Sequence, residues 1–273
     1  MTDNRCTNSI TTKEVISTVL SLSLLLSLAA CMPYNNIEES SVDNSKPIQV
    51  ALFSQEKLDS VIPTGWQELS FPSIEQQSFY TLVNHGDQTV IKAFSHGGAS
   101  GILKKVNIDP KKFPILKWRW NINNILQKAD INTKQGDDYP ARIYVTFDYD
   151  INKLASGDRF KAKMYALMHG ELPPLATLNY VWDNKSAIGT IQSNAYSTRV
   201  KMIVVQSGSL KLNTWITEQR NIYQDFKTAF GEEPPHITGI AIMTDTDNTG
   251  ETATAYYGDI SFHPLKAIKT ATK

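Results

Sequence analysis

The segments LKWRWNI (residues 116–122) and RIYVTFD (residues 142–148) alternate apolar and polar residues with a period of two. Successive side chains of a β-strand point to opposite faces, so this period predicts two strands that each have one apolar face. We therefore place both segments at the centre of a β-sheet core. The predicted core side chains are Leu116, Trp118, Trp120 and Ile122 in the first segment, and Ile143, Val145 and Phe147 in the second.

Most of the chain after residue 47 has the same strand character. Apolar segments separated by turn residues predict about ten strands. Residues 78–83 and 89–94 form a hairpin in this interpretation, with Gly86 in the turn. Residues 177–182 are expected to pair with residues 186–192. A further pair is expected between residues 198–206 and residues 210–217.

Two segments have a helical period instead. Phe160, Met164 and Leu167 recur at helical spacing before Gly170, and we interpret Met164, with Met168, as filling the core. The second helix contains the apolar positions Ile222, Phe226, Ala229 and Phe230, and is expected to end at Gly231. Strands and helices do not alternate, so the fold class is mostly β. We expect an antiparallel β-sandwich, jelly-roll or galactose-binding-like, with two short helices.

The charge balance argues against a nucleic-acid partner. Lys plus Arg and Asp plus Glu each number 27, so the formal net charge is zero and no global positive field attracts phosphates. One local basic cluster is interpreted as a solvated strand edge that prevents edge-to-edge pairing. Its members are Lys104, Lys105, Lys111, Lys112, Lys117 and Arg119.

The amino-terminal segment predicts export and lipid anchoring. Residues 15–30 form an apolar run shorter than the roughly 20 residues that a membrane-spanning helix needs, which is typical of a signal peptide. The run ends in LAAC at residues 28–31, which resembles the bacterial lipobox, so residues 1–30 are expected to be removed and Cys31 to be lipidated. An ordinary secretory signal or a signal anchor is the alternative interpretation.

Cysteine usage agrees with lipidation. The chain has two cysteines, Cys6 and Cys31, so cleavage would leave one and exclude an internal disulfide. The lipobox resemblance implies acyl chains that hold the protein at the membrane. Met32 replaces the aspartate that retains lipoproteins at the inner membrane, so the expected place is the outer membrane, facing the periplasm. Residues 31–46 are predicted to be a flexible tether and residues 47–273 a single β-sandwich domain.

Several separated motifs together resemble a bacterial family of exported proteins known as domain of unknown function 3047. The motifs, in chain order, are TGW at 64–66, ASG at 99–101, LKWRW at 116–120, GDD at 136–138 with AR at 141–142, residues 215–225, and DTDNTG at 245–250. They span about residues 63–262. The resemblance implies a domain boundary and a set of positions, but no reaction.

Two groups of charged residues are candidates for a ligand site. The first contains Asp137, Asp138 and Arg142; the second contains Glu218, Arg220 and Asp225. Paired carboxylates can act as acid and base in glycoside hydrolysis. The alternative is structural: an Asp-Asp pair before Tyr-Pro is typical of a turn, which Arg142 can clamp.

A third candidate is a structural calcium site at Asp245, Asp247 and Thr249. With Gly250 these residues match alternate positions of a calcium loop, although Tyr256 stands where such a loop has its glutamate. An Asx-rich turn between two strands is the competing interpretation. No cofactor other than this possible calcium is expected.

Three hypotheses for function follow. The first is a lipid-anchored β-sandwich that binds a ligand, such as a glycan of the envelope, without catalysis. The second is an envelope polysaccharide hydrolase or lyase that uses Asp137, Asp138, Glu218 or Asp245. The third is a structural module that binds a protein partner. Glycan binding would need exposed aromatic rings, for which the candidates are Trp66, Trp182, Trp215, Tyr256 and Tyr257.

Overall fold

Thirteen β-strands and two α-helices form the part of the chain that the computed structural model describes, residues 46–58, 62–170 and 172–265. Numbered in chain order, the strands are β1 (Ile48–Ala51), β2 (Gln67–Leu69), β3 (Phe79–His85), β4 (Gln88–His96), β5 (Ala99–Ile108), β6 (Ile115–Ile122), β7 (Arg142–Phe147), β8 (Thr177–Asp183), β9 (Ile191–Ser193), β10 (Val200–Ser207), β11 (Ile216–Asn221), β12 (Ile237–Asp245) and β13 (Thr252–His263). The helices are α1 (Ser156–His169) and α2 (Ile222–Phe230).

The strands form two sheets that pack as a β-sandwich. The six-stranded sheet has the order β11-β6-β13-β4-β3, with β1 paired to β13, and the seven-stranded sheet has the order β2-β5-β12-β7-β8-β10-β9. The chain passes from one sheet to the other at eight connections, among them β4 to β5, β6 to β7 and β12 to β13, as in a jelly roll. The predicted fold class is confirmed. One pair, β8 with β10, is parallel rather than antiparallel.

The two segments that predicted the fold lie on opposite sides of the core. β6 belongs to the six-stranded sheet, and β7 is the middle strand of the seven-stranded sheet. All seven predicted core residues are at most 3% exposed. The Trp118 ring lies 5.3 Å from the ring of Tyr180 in β8, so aromatic contacts join the two layers.

Strand pairing was predicted well only for neighbours joined by a tight turn. The β3–β4 hairpin is confirmed, and Gly86 has the positive φ of 65° that its turn requires. The other two predicted pairs are wrong: β10 lies between β8 and β9, and β11 pairs with β6 in the other sheet. Lys117 and Arg119 of the basic cluster are not at a sheet edge, because β6 lies between β11 and β13. Lys104 and Lys105 lie beyond the three residues of β5 that β2 covers, and in the described part of the chain β12 is their partner on one side.

Both helices are present, but α1 packs differently from the prediction. Its contact with the body is through Ala162, which is 4% exposed and packs with Leu154 and Leu175. Met164 is 40% exposed, so its interpretation as a core residue is wrong, and the side chain of Met168 lies outside the described part of the chain. The reason is that the small Ala162 lets the helix rest closely on the loops at its base, which turns the larger side chains outward.

The amino-terminal predictions lie outside the described residues. These are the signal peptide (residues 1–30), Cys31 and all but the last residue of the tether (residues 31–46). In the described ranges, no helix has the length and apolarity needed to cross a membrane.

Candidate functional site

Arg142 forms the centre of the first candidate group. It begins β7 and pairs with Met243 of β12, which places Asp245 on the same face two residues later. The Arg142 guanidinium donates through Nε to Asp245 Oδ1 at 2.6 Å and pairs with Asp245 Oδ2 through Nη2. It also stacks over the Tyr139 ring at 4.6 Å. A buried guanidinium is therefore held by a bidentate carboxylate and an aromatic face.

Asp137 lies beside the same guanidinium. Its backbone carbonyl accepts from Arg142 Nη2 at 2.6 Å, and its Oδ1 lies 3.6 Å from Arg142 Nη1. Burial raises the pKa of the Asp137 carboxyl above its usual value, although the Arg142 charge and a hydrogen bond from Asn194 oppose that rise. Arg142 is therefore the main source of positive charge for Asp137 and Asp245.

Asp138 connects the loop before β7 to the loop after β12. Its Oδ2 accepts from the backbone N–H of Thr249 at 2.6 Å, and its Oδ1 from that of Asn248 at 3.3 Å. The side chain is fully buried. This carboxylate caps the turn that was predicted to hold calcium.

The structure brings two of the three predicted calcium ligands, Asp245 and Asp247, together with Asp138 rather than with Thr249. Carboxylate oxygens of Asp138, Asp245 and Asp247 lie within 4.8 Å of one another. The Thr249 hydroxyl instead accepts from the backbone N–H of Glu251 at 3.4 Å. Burial, followed by the charge of Asp138, raises the pKa of Asp247.

This donor set fits a calcium ion poorly. Both oxygens of Asp245 are paired with Arg142, and both oxygens of Asp138 accept backbone N–H groups. A calcium ion needs six to eight oxygen ligands, and here it would share the oxygens of Asp138 and Asp245 with these donors, next to the positive charge of Arg142. The positive charge that the sequence led us to expect from calcium is supplied by the Arg142 guanidinium.

A polar rim borders this centre and was not predicted from the sequence. It consists of Asn194, Tyr196, Asp247 and Asn248. Asn194 Nδ2 donates to Asp137 Oδ2 at 2.6 Å, and Asn248 Nδ2 lies 3.3 Å from Tyr196 Oη and 3.2 Å from Asp247 Oδ2. The Tyr196 ring is 57% exposed. The turn between β9 and β10 supplies Asn194 and Tyr196, and its Asn-Ala-Tyr-Ser composition was the available signal.

A groove of about 370 Å³ begins at Tyr196 and runs toward α1. Its walls include Tyr165, Pro173, Pro174 and Arg199, with Lys161 from α1. Tyr165 is 41% exposed, so two partly exposed tyrosines line the same groove. This volume lies within the roughly 300–1,000 Å³ of small-molecule sites.

The second predicted group lies elsewhere. Arg220 makes two hydrogen bonds to Asp225, at 2.9 and 2.6 Å, and Tyr180 donates to Asp225 at 2.7 Å. Glu218 accepts from Gln206 at 2.8 Å, and burial raises its pKa.

The seven-stranded sheet separates the two groups. Tyr180 is paired with the core residue Ile143, so it points into the sandwich, whereas Arg142 pairs with Val181 on the outer side. The Glu218, Arg220 and Asp225 group therefore does not converge with Asp137, Asp138 and Arg142. Its contacts connect α2 and β11 to β8.

The proposed aromatic candidates are also divided. Trp66, Trp182 and Tyr257 are buried. Trp215 and Tyr256 lie around His85 on the outer side of the six-stranded sheet, with ring distances to His85 of 5.4 and 4.4 Å. Because the tip of the β3–β4 hairpin covers these two rings, they are less accessible than Tyr196.

Fold and site together define a jelly-roll β-sandwich with a groove and a polar rim outside one sheet. A family model described as "Protein of unknown function (DUF3047)" matches residues 64–261. The chain belongs to this family. No curated protein is significantly similar to it in sequence.

Solved structures with related topology have low similarity. A family 30 carbohydrate-binding module of a cellulosomal cellulase of Clostridium thermocellum has a TM-score of 0.38 and 10% identity, covering 82% of this chain and 100% of that chain. The xyloglucanase domain of a type three effector from Sinorhizobium fredii, in complex with cellobiose, has a TM-score of 0.39 and 7% identity. That match covers 75% of this chain and 96% of the xyloglucanase domain. A Stig cyclase from Fischerella sp. TAU has a TM-score of 0.37 and 12% identity, and the match covers 81% of this chain and 100% of the cyclase chain. These scores are too low to inform the function.

Proposed function

We propose that this chain is a lipid-anchored protein of the bacterial envelope that binds a glycan without transforming it. The observation that carries the proposal is the groove beside α1, which ends at the exposed Tyr196 ring and the polar rim.

The groove and the rim offer the two kinds of contact that saccharides need. The apolar C–H faces of a sugar ring stack on aromatic side chains, and Tyr165 and Tyr196 provide such faces. Sugar hydroxyls are matched by amides and carboxylates, which Asn194, Asp247 and Asn248 supply. A small number of placed polar groups in a mainly apolar site is the usual arrangement for orienting a ligand.

The rim is held in place before any ligand arrives. Asn194 is fixed by Asp137, and Asp137 is fixed by the buried Arg142. Tyr196 is tethered at its hydroxyl, which donates to the Lys134 carbonyl at 3.2 Å. Preorganised groups lose little conformational entropy on binding, which favours affinity.

Binding is better supported than hydrolysis. Glycoside hydrolysis requires two carboxyl groups facing each other across an open gap. Glu218 lies on the other side of the seven-stranded sheet from Asp137, and both oxygens of Asp138 and of Asp245 already accept from backbone N–H groups or from Arg142. Asp137 therefore serves to fix Asn194 in the rim, and Asp247 is the carboxylate left to accept hydrogen bonds from sugar hydroxyls.

The lipid anchor is supported by sequence alone. The lipobox-like LAAC at residues 28–31 follows an apolar run at the amino terminus, and Cys31 is the residue proposed to carry the acyl chains. The outer membrane is the proposed location. Anchoring would hold the sandwich at a surface where envelope glycans are concentrated.

A glycan array with the full chain in detergent tests the binding proposal, followed by titration of any saccharide that binds. Tyr196→Ala is expected to lower the affinity for that saccharide about tenfold, which corresponds to roughly 1.4 kcal/mol of binding free energy. The matched control is Trp215→Ala, a partly buried aromatic on the other sheet, which should leave affinity unchanged. If no saccharide on the array binds, the proposal is contradicted. If Trp215→Ala lowers the affinity and Tyr196→Ala does not, the binding site lies on the six-stranded sheet instead.

A further inference from the structure

The outward face of α1 carries three large apolar side chains. Phe160 is 66% exposed, Met164 40% and Leu167 78%. An α-helix turns about 100° per residue, so these three residues fall within roughly 60° of arc. We refer to Phe160, Met164 and Leu167 as the apolar stripe. Single exposed apolar residues are ordinary, but a continuous stripe on one helix face marks an interaction surface.

Lysines border the apolar stripe on both sides. Lys163 lies about 40° beyond one edge and Lys161 about 60° beyond the other, by the same helical geometry. Both lysines are exposed. The one acidic residue of α1, Asp158, lines the groove with Ala162, on the side that faces the body of the protein. The outward half of the helix is thus apolar at its centre and positively charged at its margins.

We propose that α1 docks on the surface of an anionic phospholipid bilayer, with the apolar stripe in the boundary between headgroups and acyl chains. Long lysine side chains can keep their ammonium groups among lipid phosphates while their methylene stems follow the apolar surface. The charge pattern matches this partner because it places cations where the headgroups lie.

A bilayer suits the apolar stripe better than a protein partner or a second copy of the chain. Stable protein interfaces bury at least roughly 1,200 Å², which three side chains and their margins do not supply. A bilayer requires no matching shape, and the three apolar side chains give a weak contact that a second attachment strengthens. This inference concerns the face of α1 opposite the groove, so it does not depend on glycan binding.

Tryptophan quenching by brominated phospholipids tests the contact directly. The full chain is purified in detergent and reconstituted into vesicles of phosphatidylcholine and phosphatidylglycerol, as the variants Phe160→Trp and Leu210→Trp. Leu210 is the control because it is 99% exposed in the turn between β10 and β11. The five native tryptophans contribute the same background to both variants.

Brominated lipid should remove more emission from Phe160→Trp than from Leu210→Trp. Adding Lys163→Gln to Phe160→Trp should reduce the excess quenching, as should vesicles of phosphatidylcholine alone, because each removes part of the charge attraction. Equal quenching of the two tryptophan variants overturns the proposal. A blue shift of Phe160→Trp that grows with protein concentration, without quenching, also overturns it and assigns the apolar stripe to self-association.

Discussion

At the scale of single residues, Arg142 supplies the positive charge that the buried carboxylate of Asp245 pairs with in the folded protein. Asp245 is 1% exposed and Asp138 is fully buried, so their carboxylates have lost most of their hydration. Moving a charge out of water costs several kcal/mol unless a partner of opposite charge replaces the solvent. Arg142 replaces it for Asp245 through two hydrogen bonds from a planar guanidinium, a geometry that lysine cannot reproduce.

Arg142→Met is expected to lower the free energy of unfolding by about 3–5 kcal/mol, because it leaves the Asp245 charge buried without its partner. Adding Asp245→Asn should restore much of this loss, since the unpaired charge is then gone. Urea denaturation followed by tryptophan fluorescence measures both variants. Lys153→Met is the control: the pair of Lys153 with Glu232 at 3.7 Å is much more exposed than the Arg142 pair, and its loss should change stability by about 1 kcal/mol or less.

The double variant decides between an ion pair and a purely steric role for Arg142. If Arg142→Met with Asp245→Asn is as unstable as the sum of the two single variants, then the two side chains are not energetically coupled. That result would contradict an electrostatic role for the guanidinium.

At the scale of elements, the loop between β6 and β7 determines where Asp137 and Asp138 lie. This loop crosses from one sheet to the other and folds back on itself, with the Asp130 backbone N–H donating to the Gly136 carbonyl at 2.8 Å. A Cβ atom on Gly136 would lie 2.4 Å from Asp130 N and 2.9 Å from Asp130 Cβ. Only glycine allows the two backbone segments to approach this closely.

Gly136→Ala is therefore expected to destabilise the protein by about 1–3 kcal/mol through overpacking. It should also lower the affinity for any ligand that binds the polar rim, because Asp137 directly follows Gly136 in the chain and holds Asn194. Thermal unfolding and ligand titration measure the two effects. Gly157→Ala in α1 is the control, since nothing lies within 4 Å of its added Cβ, and it should be neutral or gain up to about 1 kcal/mol. Equal stability of the two variants would show that the loop accommodates the methyl group.

The elements also show which predictions a sequence can support. The period-two pattern identified β6 and β7 with their buried faces, and the Gly86 turn identified the β3–β4 hairpin. Local patterns contain no information about distant strand partners, so the insertion of β10 between β8 and β9 was missed. The same limit applied to α1, where helical spacing gave the apolar face but not the direction in which it points.

For the candidate site as well, the sequence predicted the grouping of nearby residues but not contacts between distant ones. Asp137, Asp138 and Arg142 are neighbours in sequence, and their grouping survives in the structure with Asp245 added. Whether Glu218 belongs to the same site depends on which face of β11 it occupies and on which side of the sheet its partners lie. Local sequence gives neither. Tyr196 was missed because its ring is exposed, whereas the strand pattern draws attention to buried aromatics.

At the scale of the whole molecule, the proposed anchor, the α1 stripe and the groove can act at one membrane surface. An acylated Cys31 would fix the chain at the bilayer, and a tether of about 15 residues would span at most roughly 50 Å when extended. With this proposed anchor, such a distance would limit the protein to the first layers of the envelope next to the membrane. Docking of α1 would then place the groove close to the headgroups, since Lys161 borders both.

Radioactive palmitate supplied to the bacterial host is expected to label the full chain, and Cys31→Ala should abolish that label because no acyl acceptor remains. Cys6→Ala is the matched control, since Cys6 lies in the segment predicted to be removed, and its label should be unchanged. Met32→Asp tests the location: an aspartate after the acylated cysteine should move the protein from the outer-membrane to the inner-membrane fraction. Label that survives Cys31→Ala would exclude Cys31 as the anchor, and an outer-membrane position that survives Met32→Asp would show that another signal sorts the protein.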